Sequence, residues 1–405
     1  MTTTPQPGAI APPSPAKPAP LLTSQFNWLV LGHFLQALGY SSMLLLPVYL
    51  DHLGGTRADI GSVMAAGAFG SLLARPLVGW ALDHLGRRRT LIWGTITLTM
   101  GMALVGFVDN IGHVAYVQRI VTGIGAGTLF TGYFAFAADI IPISRRTEGI
   151  ALFGVSGLVP LVINPISEQV NLAPANLRWF LAGIAGIVLL SLIPVMVLTE
   201  PPRASPHRDA TTPAATFSKL FRSNCLPVWW ATAVFSGMVA VFMAFATVAA
   251  QRAGMEQPAN MWLTYAAGAI MVRLIGARLP DRVGPHNVIA PALGAYAAGA
   301  LALAHGGSAT TYMIAGALGG LGHGYCFPVL TSQVVSRVSV DVRGAGLALF
   351  TALWSGSELL LAPRFGRLAD SHGDSLMFAG LAIFALIGLS VWVILEHMLA
   401  NRHNR

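Results

Sequence analysis

The sequence predicts an all-α polytopic membrane protein with twelve transmembrane helices in two pseudo-symmetric six-helix bundles. Three observations carry that expectation: a composition suited to lipid, about twelve apolar runs of spanning length, and an internal repeat. The 405-residue chain is 54% hydrophobic and 10% charged, with a mean hydropathy of +0.65, whereas a soluble domain carries about 25% charged residues. The formal net charge of +8 is scattered among short loops and forms no basic face or arm, so nucleic acid is not an expected partner. Cys225 and Cys326 fall in or beside apolar runs. Two cysteines are too few for a disulfide framework and lack metal-ligand spacing, so both read as packing residues, and no metal or cofactor is expected.

Residues 1–25, rich in Pro, Ala and Thr, cannot bury a core and are expected to form a disordered tail. Lys17 alone supplies no basic n-region, so the apolar stretch after Phe26 is expected to remain as the first helix. A bilayer needs about 20 apolar residues per helix. Breaks at Pro, Gly and charge clusters place spans at 26–49, 58–82, 90–108, 113–138, 147–169 and 178–198. Residues 199–225, including Pro201, Pro202, Arg203, Arg208 and Asp209, read as a polar linker. The second half (226–398) takes 226–250, 260–280, 287–305, 308–334, 343–363 and 375–398, leaving 399–405 as a tail.

Loops joining even to odd helices carry Arg87, Arg88, Arg89, Arg145, Arg146, the linker cluster, Arg282, Arg337 and Arg343. The opposite loops carry mainly Arg57, Arg178 and Arg252 among Asp51, Asp59, Asp109 and Glu256. Basic residues concentrate in short cytoplasmic loops, so both termini and the linker are expected in the cytoplasm. Arg75, Asp83 and Gly86 recur as Arg273, Asp281 and Gly284, each 198 residues on (273 minus 75). Gly123, Gly125 and Gly127 recur as Gly320, Gly322 and Gly324 at 197 (320 minus 123), and Gly149–Phe153 recurs as Gly346–Phe350. A parallel repeat of two bundles joined by a polar linker is a transporter architecture.

The stretch Arg75–Arg89 packs Gly79, Asp83, Gly86 and the triplet Arg87, Arg88, Arg89 between two apolar helices. It resembles the G-x-x-x-D-x-x-G-R-[KR] loop between helices 2 and 3 of the major facilitator superfamily, and the resemblance covers nearly the whole chain after residue 25. It implies that Asp83 caps helix 11 of the other half, which begins near Arg343. It also implies that Arg87 or Arg88 pairs with Asp139 at the end of helix 4, making a gate across the halves. Asp281 and Gly284 repeat that gate weakly, because Pro285, His286 and Asn287 replace the basic triplet. Asp139–Gly149 resembles the A-D-x-x-P-x-x-x-R segment of bacterial drug:proton antiporters. Arg119–Gly125 resembles their helix 4 motif R-x-x-x-G-x-G, which implies a part for Arg119 in proton coupling.

Arg119, Gly123 and Gly127 share one helix face at i, i+4 and i+8. An arginine at mid-membrane costs at least about 2.5–3.5 kcal/mol, so Arg119 needs a partner or water, unless it snorkels to the interface. Helix 5 departs from the antiporter pattern G-x-x-x-G-P-x-x-G-G, since Gly157 and Pro160 are separated. Its Ser156, Pro160, Asn164 and Glu168 form an i+4 row that either lines a cavity or makes a kinked packing edge. His33, Gln36 and Tyr40 share a face of helix 1. Thr351, Ser355 and Glu358 share a face of helix 11 with Trp354 beside them, and His323 lies in helix 10.

These polar residues, with Asn164, are the candidate cavity set, although a membrane histidine is more often hydrogen-bonded packing. Intramembrane carboxylates are functional by default, which makes Glu358 the candidate protonatable group beside Arg119. Arg75 and Arg273 read as snorkelling residues, with attraction of an anionic substrate as the alternative.

No Walker loop, Gly-x-Ser-x-Gly elbow or Cys/His ligand cluster is present, so catalysis is not expected. A proton gradient suffices as driving force, since one charge crossing 100 mV is worth about 2.3 kcal/mol. The expectation is a monomeric secondary transporter of the bacterial inner membrane. Its partners are the bilayer, protons and a small organic compound, which it exports by alternating access. Proton-coupled uptake of a small anionic metabolite and a non-transporting scaffold or sensor are the alternatives.

Overall fold

The computed structural model describes residues 20–142, 145–169, 173–201, 213–276, 279–339 and 342–403. The expected tail before residue 20, linker residues 202–212 and the Asp281 side chain lie outside the described residues. Among the described residues nine helices are long and apolar enough to cross a membrane. Eight are single spans: α1 (Ser24–His52), α2 (Arg57–His84), α3 (Arg87–Phe107), α4 (His113–Ile140), α6 (Pro174–Val197), α7 (Leu226–Arg252), α9 (His286–His305) and α10 (Ala309–Arg337). The ninth, Arg343–His403, is broken at Gly373 (φ +87°, ψ 163°), which divides it into α11 (343–372) and α12 (374–403).

Two further crossings are irregular. α5 runs as Arg146–Val155 and Ile163–Gln169 around a 3₁₀ turn at Val159–Val162. Pro160, which cannot donate a backbone hydrogen bond, stands in that turn. α8 is Met261–Ile275, followed by a short helix at Leu279–Val283. The described helices are consistent with two bundles of six. Two local expectations change: helix 5 is interrupted, and the break expected after residue 363 is delayed to Gly373.

Glycines set the spacing inside each bundle. Gly123 of α4 lies against the Gly67 carbonyl of α2, and Gly70 of α2 against the Ile120 carbonyl of α4. In the second bundle Gly320 of α10 meets the Tyr265 carbonyl of α8, and Gly316 meets that of Met261. In each case a carbonyl occupies the space a side chain would fill, which lets the backbones approach as small-residue membrane interfaces require. The turns are repeated as well: Gly86 (φ +94°) joins α2 to α3 and Gly284 (φ +86°) joins α8 to α9, a region glycine alone adopts freely. α7 is the innermost span, with 89% of its apolar window buried. Leu73, Leu77, Trp93, Ile387 and Val393 are exposed, as side chains facing hydrocarbon must be.

Gly123→Val puts a branched side chain into the Gly67 carbonyl, and overpacking of this kind costs about 1–3 kcal/mol. We expect it to lower the Tm and the monodisperse yield in detergent. Gly183→Val, at a position with nothing within 4 Å, should leave both near wild type, and thermal size-exclusion chromatography reads the difference.

Candidate functional site

Arg119 projects from α4 into the space that Gly67 leaves on α2, its guanidinium carbon 3.0 Å from where a Gly67 Cβ would stand. The residue is 4% exposed, so it does not snorkel. Its Nη2 lies 3.8 Å from Oε1 of Glu358 on α11, and the Tyr40 hydroxyl on α1 interacts with both charges. Nε and Nη1 of Arg119 have no hydrogen-bond partner among the described residues. Three elements of the predicted set therefore converge, and the pair bridges the two bundles.

Around this pair α2 and α11 pack directly. Gly61 lies against the Ala362 backbone and Gly366 against the Arg57 carbonyl, and Ser355 Oγ is 3.4 Å from Ser71 Oγ. Arg75 donates to the Thr351 carbonyl (2.5 Å), the Thr351 hydroxyl and Ser355 Oγ (3.1 Å). Arg273 of α8 sits 5.9 Å from the centre of the Phe327 ring. The snorkelling expected of Arg75 and Arg273 is therefore corrected: both turn inward, because acceptors and an aromatic face from neighbouring helices lie closer than the head groups.

The other predicted residues are packed. His33 Nδ1 is 2.7 Å from Ser156 Oγ, with the Phe153 ring 4.4 Å away, and Gln36 is buried beside it on α1. His323 Nδ1 is 2.6 Å from the Tyr265 hydroxyl, and its ring lies 5.8 Å from that of Trp354. Asn164 Nδ2 donates to the Leu161 carbonyl at 3.0 Å, while its Oδ1 has no partner.

Sequence reasoning missed the contacts that close the Arg57 end. Asp370 of α11 accepts hydrogen bonds from the Arg57 and Ala58 amides at 2.7 and 2.8 Å, capping the N-terminus of α2. Glu168 of α5 accepts from the Ala259 amide at 2.9 Å, just before α8. The unpaired amides and the positive dipole end of a helix favour a carboxylate in such a position. Each cap crosses from one bundle to the other. Arg57, 2% exposed, also pairs with Asp51 at 3.0 Å and Asp374 at 2.6 Å, and Arg252 of α7 reaches Asp51. The charges were visible in the sequence, but no local pattern says which carboxylate faces which helix end.

The opposite, basic end is held together within the first bundle. Arg87 Nε donates to Asp139 Oδ2 at 2.9 Å. Glu200, just beyond α6, accepts from the Arg87 and Arg88 amides at 2.5 and 2.9 Å, an N-cap that the Glu-Pro-Pro sequence after helix 6 could have suggested. The implied cap of helix 11 by Asp83 is not made. Asp83 is exposed without a hydrogen bond or ion pair among the described residues, and Gly79 and Gly344 have nothing within 4 Å. Among the described residues the hydrogen bonds that cap helix ends across the bundles lie at the Arg57 end. A cleft of about 640 Å³ at the basic end lies within the second bundle, where Arg337 and Glu396 satisfy each other at 2.8 Å.

The family model described as Major Facilitator Superfamily matches residues 29–360. An uncharacterized MFS-type transporter of Salmonella typhimurium, STM4428, is 26% identical over 383 residues, covering 89% of this chain and 92% of the relative. The quinolone resistance protein NorA of Staphylococcus aureus is 25% identical over 229 residues, covering 55% of this chain and 56% of NorA. The solved structure of the nucleoside transporter NupG is similar at a TM-score of 0.73 and 12% identity, covering 92% of this chain and 99% of NupG. That last likeness is one of fold.

Removing both cross-bundle caps with Glu168→Gln and Asp370→Asn should open the Arg57 end more often. A cysteine at Ser71 should then react several-fold faster with an impermeant maleimide applied from that side; an unchanged rate contradicts the latch.

Proposed function

The chain belongs to the Major Facilitator Superfamily, and on that premise we propose that it exports a small organic compound from the bacterial cytoplasm in exchange for protons. In this reading the basic side faces the cytoplasm and both termini lie there, in keeping with the arginine-rich loops on that side. The observation that carries the proposal is the contact at 3.8 Å between buried Arg119 and half-buried Glu358, shared between the bundles. While Glu358 is ionised, its charge and that of Arg119 compensate one another away from water. Protonation of Glu358 leaves the guanidinium unpaired, which is costly in a low-dielectric interior and favours a rearrangement that rehydrates it.

The cycle follows from the two ends. In the present arrangement the caps by Asp370 and Glu168 hold the Arg57 end shut, and the basic end is where a compound arrives. The compound enters from the basic end while Glu358 is ionised, the caps release and the bundles rock so that the Arg57 end opens. There a proton from outside binds Glu358, the compound leaves, and the protonated protein rocks back and gives the proton up to the cytoplasm. Alternating access about a mid-membrane site is the general behaviour of such repeats. The Arg119–Gly125 resemblance to antiporters and the name of the relative NorA support export over uptake.

In proteoliposomes with an imposed pH gradient, Glu358→Gln and Arg119→Ala should each reduce gradient-driven flux more than about tenfold, the scale of a lost charge-assisted interaction. Both proteins should remain monodisperse. Glu358→Gln should retain gradient-independent exchange. Wild-type flux in both variants overturns the coupling role, and the gradient polarity that drives accumulation tests direction.

A further inference from the structure

The charges inside the bundles do not balance. Arg75, Arg119 and Arg273 project from α2, α4 and α8, and among the described residues Arg119 alone of the three has a carboxylate, that of Glu358, within ion-pair distance. Arg119 is met by Glu358, and the terminal nitrogens of Arg75 donate to Thr351 and Ser355 while its Nε has no acceptor among the described residues. Arg273 has no hydrogen-bond or ion-pair partner among the described residues, and its Nε is shielded from solvent without an acceptor. A guanidinium held this way is unfavourable and is completed by an anion that accepts from its planar fork.

The surroundings of Arg273 define what such an anion is attached to. Phe327, over which the guanidinium lies, is the residue on which the rings of both bundles converge. Phe130 and Phe327 stand at the same 197-residue offset as the glycine repeat (327 minus 130) and meet edge to face at 6.2 Å across the interface. Phe134 of α4 and Trp354 of α11 flank Phe327 at 6.1 and 5.8 Å. Gly154 of α5 leaves room beside Arg273 Nη1, where a Cβ would collide with it. A positive fork at one edge of an aromatic wall fits a flat ring carrying a carboxylate. A cation would meet two uncompensated positive charges instead.

We propose that the transported compound is a small aromatic acid, its carboxylate bound by Arg273 and its ring by Phe327 and the rings around it. This rests on the transporter reading and specifies its substrate class. Aromatic offset stacking supplies the ring contact, and the bidentate charge-assisted pair supplies selection for the anion.

The test uses the purified full-length protein and three probes on one ring: 2-naphthoate, 2-naphthamide and 2-naphthylmethylammonium. Calorimetric titration should show 2-naphthoate binding at least about tenfold more tightly than the amide, the scale of a charge-assisted hydrogen bond, with the ammonium weakest. Arg273→Gln should bring acid and amide within about twofold. Should that variant fail to fold, Arg273→Lys and Gly154→Val, which remove or obstruct the fork, should each lower 2-naphthoate affinity with less effect on the amide. Equal binding of acid and amide, preference for the ammonium, or an acid preference unchanged in these variants overturns the inference. Gradient-driven flux separates the two claims. Arg273-dependent binding without such flux supports the substrate class and contradicts proton coupling. Flux of other compounds with no preference for the acid does the reverse.

Discussion

A charge in hydrocarbon must find a counter-charge, a polar cage or water, and the placement of the few charges inside this protein follows from that constraint. Arg119 cannot extend along α4 toward the head groups, because the Gly67 gap on α2 and the carboxylate of Glu358 lie closer. The contact joins a cation of the first bundle to an anion of the second. The bundles are therefore coupled at their centre by a group whose charge a proton can cancel.

Everything peripheral to that pair favours one end at a time. At the Arg57 end, helix N-termini of each bundle are capped by carboxylates of the other, through Asp370 on α2 and Glu168 before α8. At the basic end the caps are internal: Glu200 holds the start of α3 and Arg87 holds Asp139, all within the first bundle. Among the described residues the cross-bundle caps thus lie at one end and the within-bundle caps at the other. The glycine seams of α2 with α4 and α8 with α10 bring backbones together within each bundle.

Much of this was legible in the chain. Apolar periodicity and the repeat located the crossings, since lipid leaves little choice but helices, and the glycine triplets foretold the seams. Arg119 and Glu358 were readable because each is expensive where it sits. The polar row of helix 5 was undecidable because helix rotation is set by packing partners; Ser156 turned to His33 and Glu168 to the neighbouring bundle. Asp83 stands exposed without its implied partner among the described residues, because a cap between bundles needs those two helix ends in contact. Asp370, Asp374 and Glu200 escaped notice because their partners lie 112 to 317 residues away along the chain.

The most direct test of the account is the coupling between the two ends. Spin labels at Asn110 and Glu256 report separation at the Arg57 end, and labels at Arg89 and Ser336 report it at the basic end. All four residues are exposed. Lowering the pH from neutral to acidic in reconstituted protein should change the two distances in opposite senses, in the same fraction of molecules. Distances that stay fixed, or that lengthen together, would contradict a pivot governed by the central charge pair.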